Sequence, residues 1–192
     1  MNTKKLLQNS AERLAQQTRQ VKEWNDHYDG ELLRQRPTPK SWCVLECLEH
    51  LNLVNTHYVR EIEQALQGAK GEPQNSFRPG FLGDKMVRAM SLNEEGEIAF
   101  RTKTFPSSTP HNTARLNADT VINQFNDLQK RMLECVSRSG SVDLNRAKVT
   151  SLVGPIFRLK LGDAIRLIVG HNDRHLLQAQ RALRQSSPSR AI

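Results

Sequence analysis

The chain has 192 residues, 37% hydrophobic and 25% charged, with a formal net charge of +8. This is enough for one globular domain with its own core, and too polar for a polytopic membrane protein. Three cysteines, Cys43, Cys47 and Cys135, are an odd count without a secretory leader, which argues for a reducing compartment.

Residues 3–25 predict a first helix, with Leu7, Ala11, Leu14, Thr18 and Val21 in a four-three-four-three spacing along one face. Asp29, Gly30, Pro37 and Pro39 mark a loop. Ser41 reads as the N-cap of a second helix over about 41–67, whose stripe is Cys47, Leu51, Val54 and Tyr58. A short helix is expected near 82–91, followed by a weakly periodic stretch, 92–117, that carries Pro106 and Pro110. Asp119 is placed to cap a third helix over about 119–138, with Val121, Phe125, Leu128, Met132 and Cys135 on its seam. Residues 142–158 suggest two short extended pieces around Gly154 and Pro155, and a fourth helix follows over about 160–184. The expected fold is all-α: an antiparallel four-helix bundle with a long irregular connection between helices two and three. One domain over residues 1–184 and a disordered tail over 185–192 complete the expected organisation.

Charge is unevenly placed. Residues 1–129 hold 16 basic and 16 acidic side chains, whereas residues 130–192 hold 12 basic and 4 acidic. A basic field attracts anions, from nucleic acid to small carboxylates or thiolates. Aromatics are only 5% and no DNA-reading motif is evident, which argues against nucleic acid. The N-terminus has no sustained apolar stretch, and no run approaches the ~18 residues of a membrane span. A cytoplasmic, reducing location is the expectation.

The fourth predicted helix contains HNDRHLLQ at 171–178. Its seam runs Ala164, Ile168, His171, His175 and Gln178, so two imidazoles stand where apolar residues belong. A buried polar group left unpaired costs about 1–3 kcal/mol. The spacing puts two ring nitrogens one turn apart on one helix side, and a third histidine from a facing helix would complete a metal site with an open position. His50 on helix two stands beside the Leu51 stripe. Satisfied core histidines fit the residues equally well, and both readings stay open at this level. His57 and His27 read as boundary residues, His111 as a loop residue, and Cys47 as a candidate reactive thiol. HExxH metalloprotease chemistry is excluded because Asn172 follows the first histidine.

SWCVLECLEHLNL at 41–53 resembles the helix-two motif of the DinB-like superfamily, a tryptophan followed eight residues later by a histidine, here Trp42 and His50. HNDRHLLQ resembles that family's H-x3-H-x2-Q motif, and LVGPIFRLKLGDAI at 152–165 is similar to its approach to the last helix. The resemblance implies a divalent metal (zinc, nickel or iron) held by His50, His171 and His175. It also implies a metal-dependent, thiol-using transferase, of the kind that includes bacillithiol S-transferase-like proteins, or a hydrolase. Gln178, and Glu46 one turn before His50, are candidates for orienting the ligand imidazoles. The expected partner is a low-molecular-weight thiol or other anionic small molecule. A homodimer through a helix face is compatible with the pattern, though no stripe demands it. The alternatives are a non-catalytic, stress-related module binding nucleic acid or an anionic ligand, and a metal-stabilised bundle in which His57 or Glu46 closes the site.

Overall fold

The structure is a computed structural model that describes residues 1–98, 104–111 and 113–187. Four long helices form the bundle: α1 (Thr3–His27), α3 (Val44–Gln67), α5 (Ala118–Arg138) and α6 (Leu161–Ser186). Two shorter ones, α2 (Gly30–Arg34) and α4 (Phe81–Met90), lie in the connections. A hairpin of β1 (Lys148–Ser151) and β2 (Gly154–Lys160) leads into α6, with Lys148 opposite Lys160 and Val149 opposite Leu159. The expected turn at Gly154 and Pro155 falls instead at Leu152 and Val153. Of the expected tail, residues 185 and 186 continue α6, and residues 188–192 lie outside the described set.

Caps set the helix starts. Asn2 accepts from the Lys5 amide at 2.8 Å, and Asn117, rather than Asp119, accepts from the Thr120 amide at 2.9 Å. The second long helix begins after Cys43, not Ser41. Glu46 in its first turn reaches back to the Cys43 amide at 3.0 Å, which satisfies a donor that Ser41 is too far out to serve.

The pairing of the helices explains the long connection. Asn52 donates to the Val121 carbonyl and Arg131 pairs with Glu63, so α3 and α5 run parallel. Gln129 donates to Gln17 at 3.0 Å, and Gly30 lies against Ala118, so α1 and α5 run antiparallel. Trp42 meets His175 while Tyr58 meets Ser151, so α3 and α6 are antiparallel. The directions are therefore up, down, down, up. A parallel α3–α5 pair requires the chain to travel back along a helix of 24 residues, about 36 Å. Residues 68–117 make that return, which a two- to eight-residue helix connection cannot.

The return segment is fastened at several points. Met1 and Phe77 exchange backbone hydrogen bonds, the terminal amine donating to Phe77 O at 3.0 Å and Phe77 N to Met1 O at 2.9 Å. The Phe77 ring is fully buried against Gly162, where an added Cβ would stand 2.6 Å from it. Gly170 has the same function one residue before His171. A Cβ there would meet the Ser91 Oγ at 1.9 Å, so only glycine lets the end of α4 approach α6 this closely.

The buried seam of α1 is Leu6, Ser10, Leu14, Gln17, Val21 and Trp24. It lies one position off the expected stripe at its N-terminal end, so Leu7 and Ala11 flank the core. The apolar core forms two clusters. One gathers Leu14, Val54, Met132 and Ile165, the other Val21, Leu51, Phe125 and Leu176. Along α3 the changeover falls between Leu51 and Val54, and along α6 between Val169 and Leu176. Among the described residues no helix is long and apolar enough to cross a membrane.

Candidate metal centre

His50, His171 and His175 meet at that changeover. Each offers a ring nitrogen, and these atoms all lie within 4.8 Å of one another. The antiparallel crossing of α3 and α6 brings His50 opposite the i, i+4 pair. Ring centroids are 5.2 Å apart for His50–His171, 4.4 Å for His50–His175 and 4.5 Å for His171–His175. His50 and His175 are 4% and 8% exposed. His171 opens onto an adjoining cavity, yet its Nδ1 is buried.

The second ring nitrogen of each histidine shows how the rings are aimed. His50 Nδ1 lies 2.7 Å from the Ser108 carbonyl oxygen, which can only accept, so Nδ1 carries the proton and Nε2 a lone pair. His175 Nδ1 donates in the same way to Gln178 Oε1 at 3.0 Å. The Nε2 atoms of His50 and His171 are 3.4 Å apart. Two nitrogens bound tetrahedrally to one zinc at about 2.0–2.1 Å would be roughly 3.3 Å apart. Among the described residues His171 Nδ1 has no hydrogen-bond partner. The donor set and its spacing fit a divalent cation of the imidazole-binding kind.

Electrostatics keep the rings in the ligating form. Burial holds His50 below its ordinary value, with the Ser108 bond opposing. Burial, the His50 ring and Arg174 push His171 down to about 3. Burial and then His171, His50 and Arg174 hold His175 well below its ordinary value, against the opposing Gln178 bond. All three imidazoles are neutral at pH 7, as a metal requires. Trp42 covers one side, its ring 5.2 Å from His50 and 6.1 Å from His175.

The other candidates separate from this cluster. Glu46 is 1% exposed, but its carboxylate accepts from Arg36 Nε at 2.8 Å and from the Cys43 amide, and the His50 Nδ1 it was expected to orient is instead 2.7 Å from Ser108 O. The expected orienting role therefore falls to the Ser108 backbone. A carbonyl in a distant loop leaves no side-chain signal, so sequence reading had no means to find it. His57 is bound to the Thr150 carbonyl at 3.1 Å and stacks edge-on with Tyr58, outside the cluster. His27 Nδ1 contacts Glu23 O on an exposed surface, and His111 is exposed. Cys47 is fully buried, and burial raises its thiol well above the ordinary value; Cys43 and Cys135 are raised to about 11 for the same reason. These protonated core thiols do not fit the expectation of a reactive Cys47.

A buried amide network also escaped the periodicity analysis. Gln17, Gln129 and Asn172 are each at most 2% exposed. Gln129 and the Asn172 amide both donate to Gln17 Oε1, at 3.0 and 3.1 Å, and Gln17 donates to the Val169 carbonyl at 3.0 Å. The signal was Gln17 on the true α1 seam, three residues after Leu14, where the shifted stripe selected Thr18.

A mostly helical bundle with three buried histidines close together, two on one helix and one on another, is compatible with a metal-binding bundle protein. A family model described as the DinB superfamily matches residues 10–179, which include all four long helices in whole or in most part. The chain belongs to the DinB superfamily. Searches of curated proteins and of solved structures returned no match.

Proposed function

We propose that the chain binds one divalent metal through His50, His171 and His175 and uses it in thiol transfer to an electrophile or in hydrolysis. The observation that carries this reading is the convergence of three neutral imidazoles on one point at a cavity wall. Among the described residues the cluster contains no fourth protein ligand, and three-ligand sites are those that keep a position for water or substrate. A divalent metal held there supplies Lewis acidity, which lowers the pKa of a thiol or water in that position.

The chain's own groups have distinct tasks. Ser108 O and Gln178 Oε1 hold protons on the two Nδ1 atoms and direct the Nε2 lone pairs inward. Trp42 limits water at one side of the rings. The cavity, about 630 Å³, gives a substrate access to His50, His171 and His175. Three free, buried cysteines support a reducing, cytoplasmic setting. Zinc, nickel and iron are all compatible with imidazole donors.

The test is elemental analysis of purified protein beside a His50→Ala/His171→Ala variant, followed by two turnover assays. These use glutathione with 1-chloro-2,4-dinitrobenzene, and p-nitrophenyl acetate hydrolysis. One metal per chain, lost in the variant, with turnover abolished by His171→Ala, is expected. Absence of metal after reconstitution with zinc, nickel and iron, or full turnover in His171→Ala, would overturn the reading.

A further inference from the structure

The cavity beside the histidines has two unlike sides. Because α3 and α6 are antiparallel and Trp42 meets His175, residues after His50 on α3 share a side of the centre with residues before His171 on α6. On that inner side stand Val54, one turn beyond His50, and Leu167 and Ile168, one turn before His171. The short helix α4 runs alongside α6 in the same direction, since Gly83 abuts Asp163 and Gly170 abuts Ser91. Met86 and Met90 are therefore level with the turn of α6 that precedes His171, and both line the cavity. Leu152 lies at the far end, its amide donating to the Tyr58 hydroxyl at 3.4 Å. The outer side is polar: Lys40 and Ser41 precede Trp42, and Gln178, Arg181 and Gln185 follow His175.

The inner side presents mainly carbon to a ligand. Its Tyr58 hydroxyl is already engaged by Ser151 Oγ and the Leu152 amide, each at 3.4 Å. Val153, next to Leu152, lines the same cavity and is 44% exposed, so apolar surface is left uncovered there. Water against such a wall keeps few hydrogen-bond partners, and an apolar group that displaces it is favoured. Two methionine thioethers adapt to irregular shapes, so the wall accepts an aliphatic or an aromatic body. At about 630 Å³ the cavity is in the range that encloses a whole small organic molecule, far more than a water or hydroxide needs.

We infer that the centre acts on a molecule with an apolar body, which lies on the inner side along Val54, Met86, Met90 and Leu167 and brings its reacting group to the histidines. Hydrophilic groups are left to the outer side. This rests on the reading of the cavity as the substrate site of the three-histidine centre, and it gives that substrate a chemical class. Selection on the inner side works through hydration, so it discriminates between neutral molecules of one shape.

Octan-1-ol and diethylene glycol monoethyl ether are neutral chains of equal length that differ only in two methylenes replaced by ether oxygens. Their binding to chelator-treated and zinc-loaded full-length protein is measured by calorimetry, and their position by NMR of the methionine ε-methyl groups. In both forms octan-1-ol is expected to bind at least roughly tenfold more tightly than the ether. It should shift the methyls of Met86 and Met90 and leave those of Met1 and the buried Met132 in place. Met86→Gln/Met90→Gln should bring the two probes within about threefold of each other, whereas Lys40→Gln/Gln185→Ala on the outer side should keep the preference. Equal affinities in the unsubstituted protein would overturn the inference, as would octan-1-ol binding that leaves Met86 and Met90 unshifted. The methyl shifts decide the matter if the methionine variant does not fold. A preference that arises only with zinc would assign the probe to the metal rather than to the wall, overturning this inference while sparing the metal reading. The reverse result, the full preference and methyl shifts in a protein that takes up no metal, would remove the metal reading and leave the apolar site standing.

Discussion

The proton on His50 Nδ1 is held by the carbonyl oxygen of Ser108, 58 residues away in sequence and 2.7 Å away in space. The segment that returns the chain from the end of α3 to the start of α5 thus also fixes the tautomer of a candidate ligand. Ser108 is itself 2% exposed, and its amide is anchored to Phe105 O at 3.0 Å. The prediction is spectroscopic. Long-range nitrogen–proton NMR correlations should report His50 as the Nδ1–H tautomer both before and after zinc addition, with zinc moving only the Nε2 resonance. An Nε2–H tautomer in the metal-free protein would contradict the assignment.

Glu46 and Gln178 should separate cleanly. Gln178→Leu removes the acceptor of the His175 Nδ1 proton, and loss of such a partner typically costs 10–100-fold in metal affinity, so zinc binding is expected to weaken by about that factor. Glu46→Gln cuts a buried pairing with Arg36 and weakens the cap on α3, for about 1–3 kcal/mol of stability. Its zinc affinity should stay within about threefold of the original, because its bonds do not reach the histidines. Competition titrations with a chromophoric chelator and urea melts read the two effects separately.

The metal-free protein should be acid-sensitive in a defined window. His50, His171 and His175 are all held below the ordinary 6.5, and His171 is at about 3. Above pH 6.5 neither the folded nor the unfolded chain protonates them. Below it the unfolded chain takes up protons that the folded chain refuses, so folding stability falls as pH drops from about 6.5 towards 3. Each such ring contributes up to ~1.4 kcal/mol per pH unit. Urea midpoints of chelator-treated protein between pH 7.5 and 5 should show this slope, and His171→Leu should reduce it by about one proton. An unchanged slope would mean that His171 is not neutral in the fold.

The Gln17–Gln129–Asn172 network should act as a unit. Gln129→Leu alone strands buried amide groups on Gln17 and Asn172 and is expected to cost about 1–3 kcal/mol. Replacing all three with leucine removes the stranded groups together and should cost less than the sum of the single changes. Thermal melts of the singles and the triple measure the difference. Additive losses would show that the amides do not depend on one another.

Much of this protein was legible in the chain itself. Long four-three periodicity fixes helices irrespective of their partners, because a helix is closed by hydrogen bonds four residues apart. The same periodicity exposed His171 and His175 as polar residues on an apolar seam, and the motif around Trp42 pointed to His50. Other features depended on how the helices were arranged in space. The parallel course of α3 and α5 is a relation between elements far apart in sequence, and it is what requires the long return through residues 68–117. Ser108 acts through its backbone, which every residue possesses, so no sequence pattern could mark it. Glu46 stood at the right helical spacing to serve His50, but Arg36, ten residues earlier, gives its buried carboxylate a charged partner. Arg174 reads as an ordinary basic residue on a basic helix. Only the tertiary structure, with Ala89 near the end of α4 set against α6, buries it at the wall of a cavity. Local periodicity is set by backbone geometry, whereas the aim and burial of a polar side chain are set by whatever the rest of the chain packs against it.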